Sequence, residues 1–254
     1  MLIEIEGFCE KGLQREENQD CIYAARREDG VIAVIADGMG GHTKGSIASS
    51  LVCDKIRIWW ENLPDFWLRK ASEDPACGLE MAVVQANEEI RSIAGESICG
   101  TTVAALLLTD RNWILLSVGD TRCYKIQTVY PWSKVVQISP DDVWEQQKEI
   151  VQHFTKTEIE NHPNYGKLIR AVGGDARLLC HIKRGNIRSG MAFFLCSDGV
   201  YRYCEKKSME EMFNRMARKK EMKREIERLK REVYNNQAPD NLSLIAIRVR
   251  KGEM

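Results

Sequence analysis

Thr101-Thr-Val-Ala-Ala-Leu-Leu-Leu108, Trp113-Ile-Leu-Leu-Ser-Val118, Cys123-Tyr-Lys-Ile-Gln127 and Lys134-Val-Val-Gln-Ile138 follow one another through short links. Runs of this kind, rich in Val, Ile and Leu and separated by a few polar residues, read as strands joined in antiparallel hairpins. Working outward, further strand candidates lie at Ile3–Cys9, Val31–Ala36, Met191–Cys196 and Leu242–Val249, and helical patterns at Ser46–Trp60, Leu79–Ile93, Asp142–Phe154 and Ser208–Tyr234. The helices arrive in groups and do not alternate regularly with the strands. That grouping predicts an α+β fold, a four-layer α-β-β-α sandwich of two packed antiparallel sheets flanked by helices. The last helix is expected to open on a capping box, Ser208 with Glu211. Its packing face carries Met209, Met212, Phe213 and Met216, then Met222, Ile226, Leu229 and Val233.

No Pro/Gly/Ser-rich linker or internal repeat divides the 254 residues, so 1–254 is read as a single domain. Lys+Arg and Asp+Glu both total 37, a balance that argues against nucleic acid or an anionic membrane as a partner. The start, Met1-Leu-Ile-Glu-Ile-Glu6, lacks the basic and apolar segments of a signal peptide and reads as a strand. Apolar runs such as Val31–Ala36 are too short to span a bilayer. The nine cysteines are scattered and include no Cys-x-x-Cys pair, which favours buried thiols in a reducing compartment and hence a cytoplasmic protein. A monomer is expected. Between Arg218 and Glu232 eight basic residues face four acidic ones; a solvated helix face laced with ion pairs accounts for this excess better than a docking surface does.

Three aspartates end apolar strands in the same way: Val31-Ile-Ala-Val-Ile-Ala-Asp37-Gly38, Ile114-Leu-Leu-Ser-Val-Gly-Asp120 and Phe193-Phe-Leu-Cys-Ser-Asp198-Gly199. A fourth, Asp240, immediately precedes Asn241 and the strand from Leu242. Singly, each would be a turn residue. If the strands share an end of the fold, the carboxylates converge, and like charges at ~4 Å repel by about 4 kcal/mol at an effective dielectric of about 20. Positive charge must then sit among them. With oxygen donors and neither histidine nor cysteine at these positions, Mg²⁺ or Mn²⁺ is favoured over zinc. The Gly38 carbonyl is open to join the shell, and two such ions can share a water, lower its pKa and deliver hydroxide in line to phosphorus. Arg15, in Gly12-Leu-Gln-Arg15-Glu-Glu-Asn-Gln-Asp20, supplies the planar cation best suited to hold a phosphate.

These segments together resemble the metal-dependent protein phosphatases, the protein phosphatase 2C family, in its short bacterial form. The resemblance rests on Arg15-Glu-Glu-Asn-Gln-Asp20, Ala36-Asp-Gly-Met-Gly-Gly-His42, Cys99-Gly-Thr-Thr102, Val118-Gly-Asp-Thr-Arg122, Asn161-His-Pro163 with Leu168–Gly174, Cys196-Ser-Asp-Gly199 and Pro239-Asp-Asn241, in the family's order. It implies hydrolysis of phosphoserine and phosphothreonine in proteins, opposing a serine/threonine kinase. Asp37 would bridge two catalytic ions, with the Gly38 carbonyl on one and Asp198 and Asp240 on the other. Asp20 would bind through water, Arg15 would hold the phosphate, and Asp120 with Asp198 would form a weaker third-metal site.

The chain also departs from its relatives. Met39 stands where animal members have a histidine, so no side chain there protonates the leaving oxygen; His42 lies three residues on. Ser139 and Asp142 replace a threonine and a histidine of many relatives. Lys44 and Tyr201-Arg202-Tyr203 differ from the usual residues near the site and are expected to shape substrate choice. Two other readings compete: a phosphatase-like scaffold without turnover, against which all the metal and phosphate residues are present, and a hydrolase of small phosphoesters, which would share them.

Overall fold

The computed structural model describes residues 2–41, 43–70, 74–95, 99–129, 132–218 and 221–250; His42 lies outside them. β1 (Leu2–Glu10), β2 (Asp20–Arg27) and β3 (Gly30–Gly40) lead into α1 (Lys44–Glu61), a short α2 (Trp67–Lys70) and α3 (Pro75–Ala94). There follow β4 (Cys99–Thr101), β5 (Val103–Thr109), β6 (Asn112–Val118), β7 (Arg122–Val129) and β8 (Trp132–Gln137). A segment with the short helices α4 (Lys148–Val151) and α5 (Lys156–Glu160) connects to β9 (His181–Asn186), β10 (Met191–Cys196) and α6 (Asp198–Tyr201). The chain closes with α7 (Lys206–Arg218), α8 (Met222–Asn235) and β11 (Leu242–Arg250).

The strands form two antiparallel sheets, ordered β1-β11-β10-β7-β8 and β2-β3-β5-β6-β9, with β4 paired to the far end of β3. Alternation along the strands builds the layers. In β3, Val31, Ala33 and Ile35 enter the seam between the sheets, while Ile32, Val34 and Ala36 meet α1 and α3. In β10 and β11, Phe193, Leu195, Ile245 and Ile247 enter the same seam, while Phe194, Leu244 and Ala246 meet α7 and α8. On α1, Ala48, Val52, Ile56 and Trp60 recur every four residues on the buried face, as a helix lying on a sheet requires. The expected four-layer α+β sandwich is what forms. No helix among the described residues is long and apolar enough to cross a membrane.

Three local expectations change. The segment from Ser208 to Tyr234 is two helices, α7 and α8, packed against each other. A continuous helix of that span would run about 40 Å, roughly twice a six-residue strand such as β10; turning back lays both apolar stripes on the sheet. The capping box does not form, because α7 starts at Lys206 and Ser208 Oγ donates to Glu232 Oε2 of α8 at 2.6 Å. Asp142–Phe154 is a 3₁₀ turn at Trp144–Gln146 followed by α4. Tertiary partners overrule the helical pattern: Trp144 stacks on His162 at 3.9 Å and Val143 bridges to Leu168. Neither β9, a half-exposed edge strand, nor β2 carries an apolar run strong enough to mark it in the sequence. The basic residues of α8 are largely tied internally: Arg228 and Arg215 of α7 both reach the buried Glu225 at 2.8 Å, and Lys230 reaches Glu10 at 2.9 Å.

Phe213 is fully buried, stacked on Phe194 at 4.3 Å and tilted against Tyr124 at 5.4 Å. Phe213→Ala should therefore lower stability by about 3–5 kcal/mol. Urea unfolding would show this as a lower midpoint with an unchanged m-value.

Candidate metal centre

The odd-numbered positions of β3 continue past Ile35 to Asp37, so its carboxylate leaves the strand on the seam side. β2 pairs with β3 so that Asp20 lies directly opposite Asp37. Ser197 and Ser243 continue the seam-facing parity of β10 and β11 from the other sheet, and both hydroxyls donate to Asp20 Oδ2, at 2.8 and 2.7 Å. Asp198 follows β10, Asp120 follows β6 after a Gly119 with φ +92°, and Asp240 precedes β11. Five strands thus bring carboxylates to one end of the seam, Asp37 from within β3 and the other four at or beside a strand end. A cleft of about 620 Å³ opens there, lined by Asp37, Gly38, Asp120, Asp198, Asp240 and Arg15 among others. A larger cavity of about 740 Å³ lies beyond Tyr201 and Arg122 and is not lined by these aspartates.

Backbone contacts hold the cluster. The Asp37 carbonyl accepts from Thr102 N and Thr101 Oγ1, both at 2.9 Å, and Gly38 N donates to the Gln19 carbonyl at 3.0 Å. A Cβ at position 38 would collide with the Gly45 carbonyl, so glycine is what allows β3, α1 and the Gln19 segment to meet. Asn241 ties down the loop that carries Arg15: its Nδ2 donates to the carbonyls of Lys11 and Glu17 at 2.9 Å, and its Oδ1 accepts from Gln19 N at 2.9 Å. Asp142 clamps the Asp120 turn, accepting from Gly119 N at 3.0 Å and from Arg170 and His181 at 2.8 Å.

Two arginines flank the acids. Arg15 makes a bidentate pair with Asp240, with both distances 2.8 Å, and its side chain is 55% exposed at the rim. Arg202 spans Asp198 at 3.2 Å and Asp120 at 3.0 Å on the other flank. Between them, Asp20 and Asp37 have no cationic partner among the described residues, and Asp20 Oδ1 is buried with no hydrogen-bond partner. Loss of solvent pushes Asp20 up to about 6 against its two serine donors, with the charges of Asp198 and Asp240 adding to the rise. Asp198 is pushed up to about 6 by desolvation, then lowered by Arg202 and raised by Asp120 and Asp240. Asp37 lies well above the usual carboxylate range, from desolvation first and then from Asp20, Asp198, Asp120 and Asp240. It also shares a hydrogen bond with Asp198, which needs a proton or a cation between the two carboxyls. No three acidic, histidine or cysteine side chains among the described residues form a closed cage as they stand, for Asp240 is engaged by Arg15 and Asp120 by Arg202. The unpartnered, desolvated oxygens at the centre nonetheless fit a hard divalent cation.

The profile of the protein phosphatase 2C family matches residues 13–240. The serine/threonine protein phosphatase PstP of Mycobacterium tuberculosis is 30% identical over 192 residues, a match covering 75% of this chain and 35% of that longer protein. The chain belongs to the protein phosphatase 2C family. The serine/threonine phosphatase stp of Listeria innocua is 24% identical over 208 residues, 80% of each chain. Among solved structures, PppA of Pseudomonas aeruginosa superposes with a TM-score of 0.79 at 26% identity, over 98% of both chains. The catalytic domain of PstP in complex with two manganese ions does so with 0.78 at 25%, over 98% of this chain and 99% of that one. The site residues that the sequence alone does not mark are Ser197, Ser243, Asp142 as a clamp, and Arg202 as a partner of two acids. The serines could have been found from strand parity; Arg202 needed the turn geometry of α6.

The raised carboxyls fix the sign of a pH effect. Each holds its proton more tightly when folded than at the ordinary aspartate value of 3.8. Between that value and about 6 the folded chain binds the extra protons of Asp20 and Asp198, so stability of the metal-free protein falls as pH rises through this window. Asp37→Asn should remove part of that slope and raise the thermal midpoint at neutral pH in EDTA. A midpoint lowered by the substitution under those conditions would contradict the crowding described here.

Proposed function

We propose that this chain is a metal-dependent serine/threonine protein phosphatase acting on phosphorylated proteins. The observation that carries the reading is the group of carboxylates that five strands bring together, desolvated and short of positive charge at its centre and flanked by Arg15. The family relatives named above are serine/threonine phosphatases, which supports the same reading. Asp37, the Gly38 carbonyl, Asp198 and Asp240 would hold two Mn²⁺ or Mg²⁺ ions, with Asp20 behind them, its Oδ2 already taken by two serines. When bound, such ions neutralise the carboxylates, act as Lewis acids toward phosphoryl oxygens and lower the pKa of water. A third, weaker ion is assigned to Asp120 and Asp198.

The chain's own groups do the rest. Arg15 at the rim can exchange Asp240 for the phosphate of a substrate, keeping two parallel N–H donors on two oxygens. Asn241 holds the Arg15 loop against the cluster, so the guanidinium is positioned and not searching. Tyr201 donates to Asp120 Oδ2 at 2.9 Å and stays a donor, since burial and the neighbouring acids raise its hydroxyl. The substrates must be supplied by a serine/threonine kinase, because only such a reaction makes these phosphoesters. A site that draws residues from Arg15 to Asp240 within one chain supports reading 1–254 as a single catalytic domain that acts as a monomer. Nine free thiols support a reducing, cytoplasmic setting.

Turnover of p-nitrophenyl phosphate and of phosphothreonine peptides should vanish in EDTA and return with Mn²⁺. Undiminished turnover in excess chelator would sink the metal mechanism. Asp198→Ala should lose at least about a hundredfold in kcat while melting no lower than wild type. Arg15→Ala should raise KM by about 10- to 100-fold, the ~1.5–3 kcal/mol of a charged hydrogen bond; an unchanged kcat/KM would exclude phosphate binding by Arg15.

A further inference from the structure

The turn Asp198-Gly-Val-Tyr-Arg202 places a guanidinium one helical turn beyond a candidate metal ligand. Arg202 Nε lies 3.2 Å from Asp198 Oδ2, and Arg202 Nη2 lies 3.0 Å from Asp120 Oδ2. These are the two carboxylates assigned above to the outer ion. A planar guanidinium with fixed, divergent N–H donors can satisfy both at once and carries a charge that does not titrate away. Asp120 Oδ2 also accepts from Tyr201, whose ring is held by the Arg122 guanidinium 3.6 Å from its centroid, itself paired with Asp141 at 2.7 Å. Asp120 is thus fixed, with its side chain 6% exposed, whereas the Arg202 side chain is 42% exposed and has Asp120 and Asp198 as its ion-pair partners.

We propose that Arg202 is a tethered counter-cation that competes with the outer divalent ion for Asp120 and Asp198, and so sets the occupancy of the outer site. The proposal rests on reading the acid cluster as a metal centre. A cation fixed to the chain four residues from one of its partners acts at a local concentration that a free ion must exceed. At low metal the guanidinium holds the outer carboxylates together; an ion that enters must release it into the cleft that Arg15 also lines. The outer site is weak for that reason, beyond any shortage of ligands.

Calorimetric titration with Mn²⁺ alone tests this on the full chain, comparing wild type with Arg202→Gln, Arg202→Lys and Asp120→Asn. Two inner sites should persist in all four proteins. A third, weaker site in wild type should tighten about tenfold or more in Arg202→Gln, on the scale of a lost charged hydrogen bond, and vanish in Asp120→Asn. Arg202→Lys keeps a charge but cannot bridge two carboxylates, so it should tighten the third site less, and it carries the test if the glutamine variant fails to fold. A third site of equal or weaker affinity in the Arg202 variants, with two inner ions bound, would overturn the competition. So would the absence of a third site in every variant, which would leave the inner centre standing. Absence of any Mn²⁺ binding in folded wild type would instead sink the metal-centre reading itself, and the competition with it.

Discussion

Crowding of like charge at one end of the inter-sheet seam is the constraint around which the rest of this molecule is arranged. Asp20 and Asp37 face each other across a strand pair, Asp198 shares a hydrogen bond with Asp37, and Asp120 and Asp240 add their charges from neighbouring strand ends. Each such pair at ~4 Å costs about 4 kcal/mol at an effective dielectric of about 20. The chain answers at the periphery with side chains. Two serines share one oxygen of Asp20, Arg15 covers Asp240, and Arg202 spans Asp120 and Asp198. At the centre it offers no cationic side chain of its own among the described residues, and there a divalent ion has most to gain.

The difference between rim and centre follows from size and hydration. A guanidinium needs a long stem and keeps part of its solvent, which Arg15 and Arg202 find at the cleft edge, 55% and 42% exposed. A compact divalent ion can take the oxygen donors of Asp37, Gly38 and Asp198 where no arginine stem could enter. On the proposed reading the two arginines are exchangeable cations, Arg15 toward an anionic substrate and Arg202 toward another ion. Asn241 and Asp142 do related work without charge transfer: one fixes the loop of Arg15, the other the turn of Asp120.

Much of this was legible before any coordinates. The layers are legible because strands such as Val31–Ala36 and Leu242–Val249 are apolar at nearly every position, as strands covered on both faces are. The convergence of Asp37, Asp120, Asp198 and Asp240 is legible because each closes or immediately precedes an apolar run. What escaped depends on contacts between distant segments. β9, His181-Ile-Lys-Arg-Gly-Asn186, is an edge strand with too few apolar residues to announce itself. Trp144 gives up a helix to stack on His162, and Ser208 gives up a cap to bond Glu232. Nothing in residues 198–202 alone reveals that Arg202 reaches Asp120, because Asp120 arrives on a different strand.

Placing the carboxylates at strand ends also separates what the site costs from what the fold gains. The seam is filled by Phe193, Leu195, Ile245 and Ile247 against Val31, Ile35 and Leu106, and both outer faces are closed by helices. None of these side chains is a candidate ligand. Changes in them act on stability and reach the site only if the strands shift, whereas removing an aspartate relieves repulsion and leaves packing intact. The same division explains why the raised carboxyls can be tolerated at all. Their penalty is borne by three apolar layers that lie a few residues away, and on the proposed reading it is relieved when a cation binds among Asp37, Asp198 and Asp240.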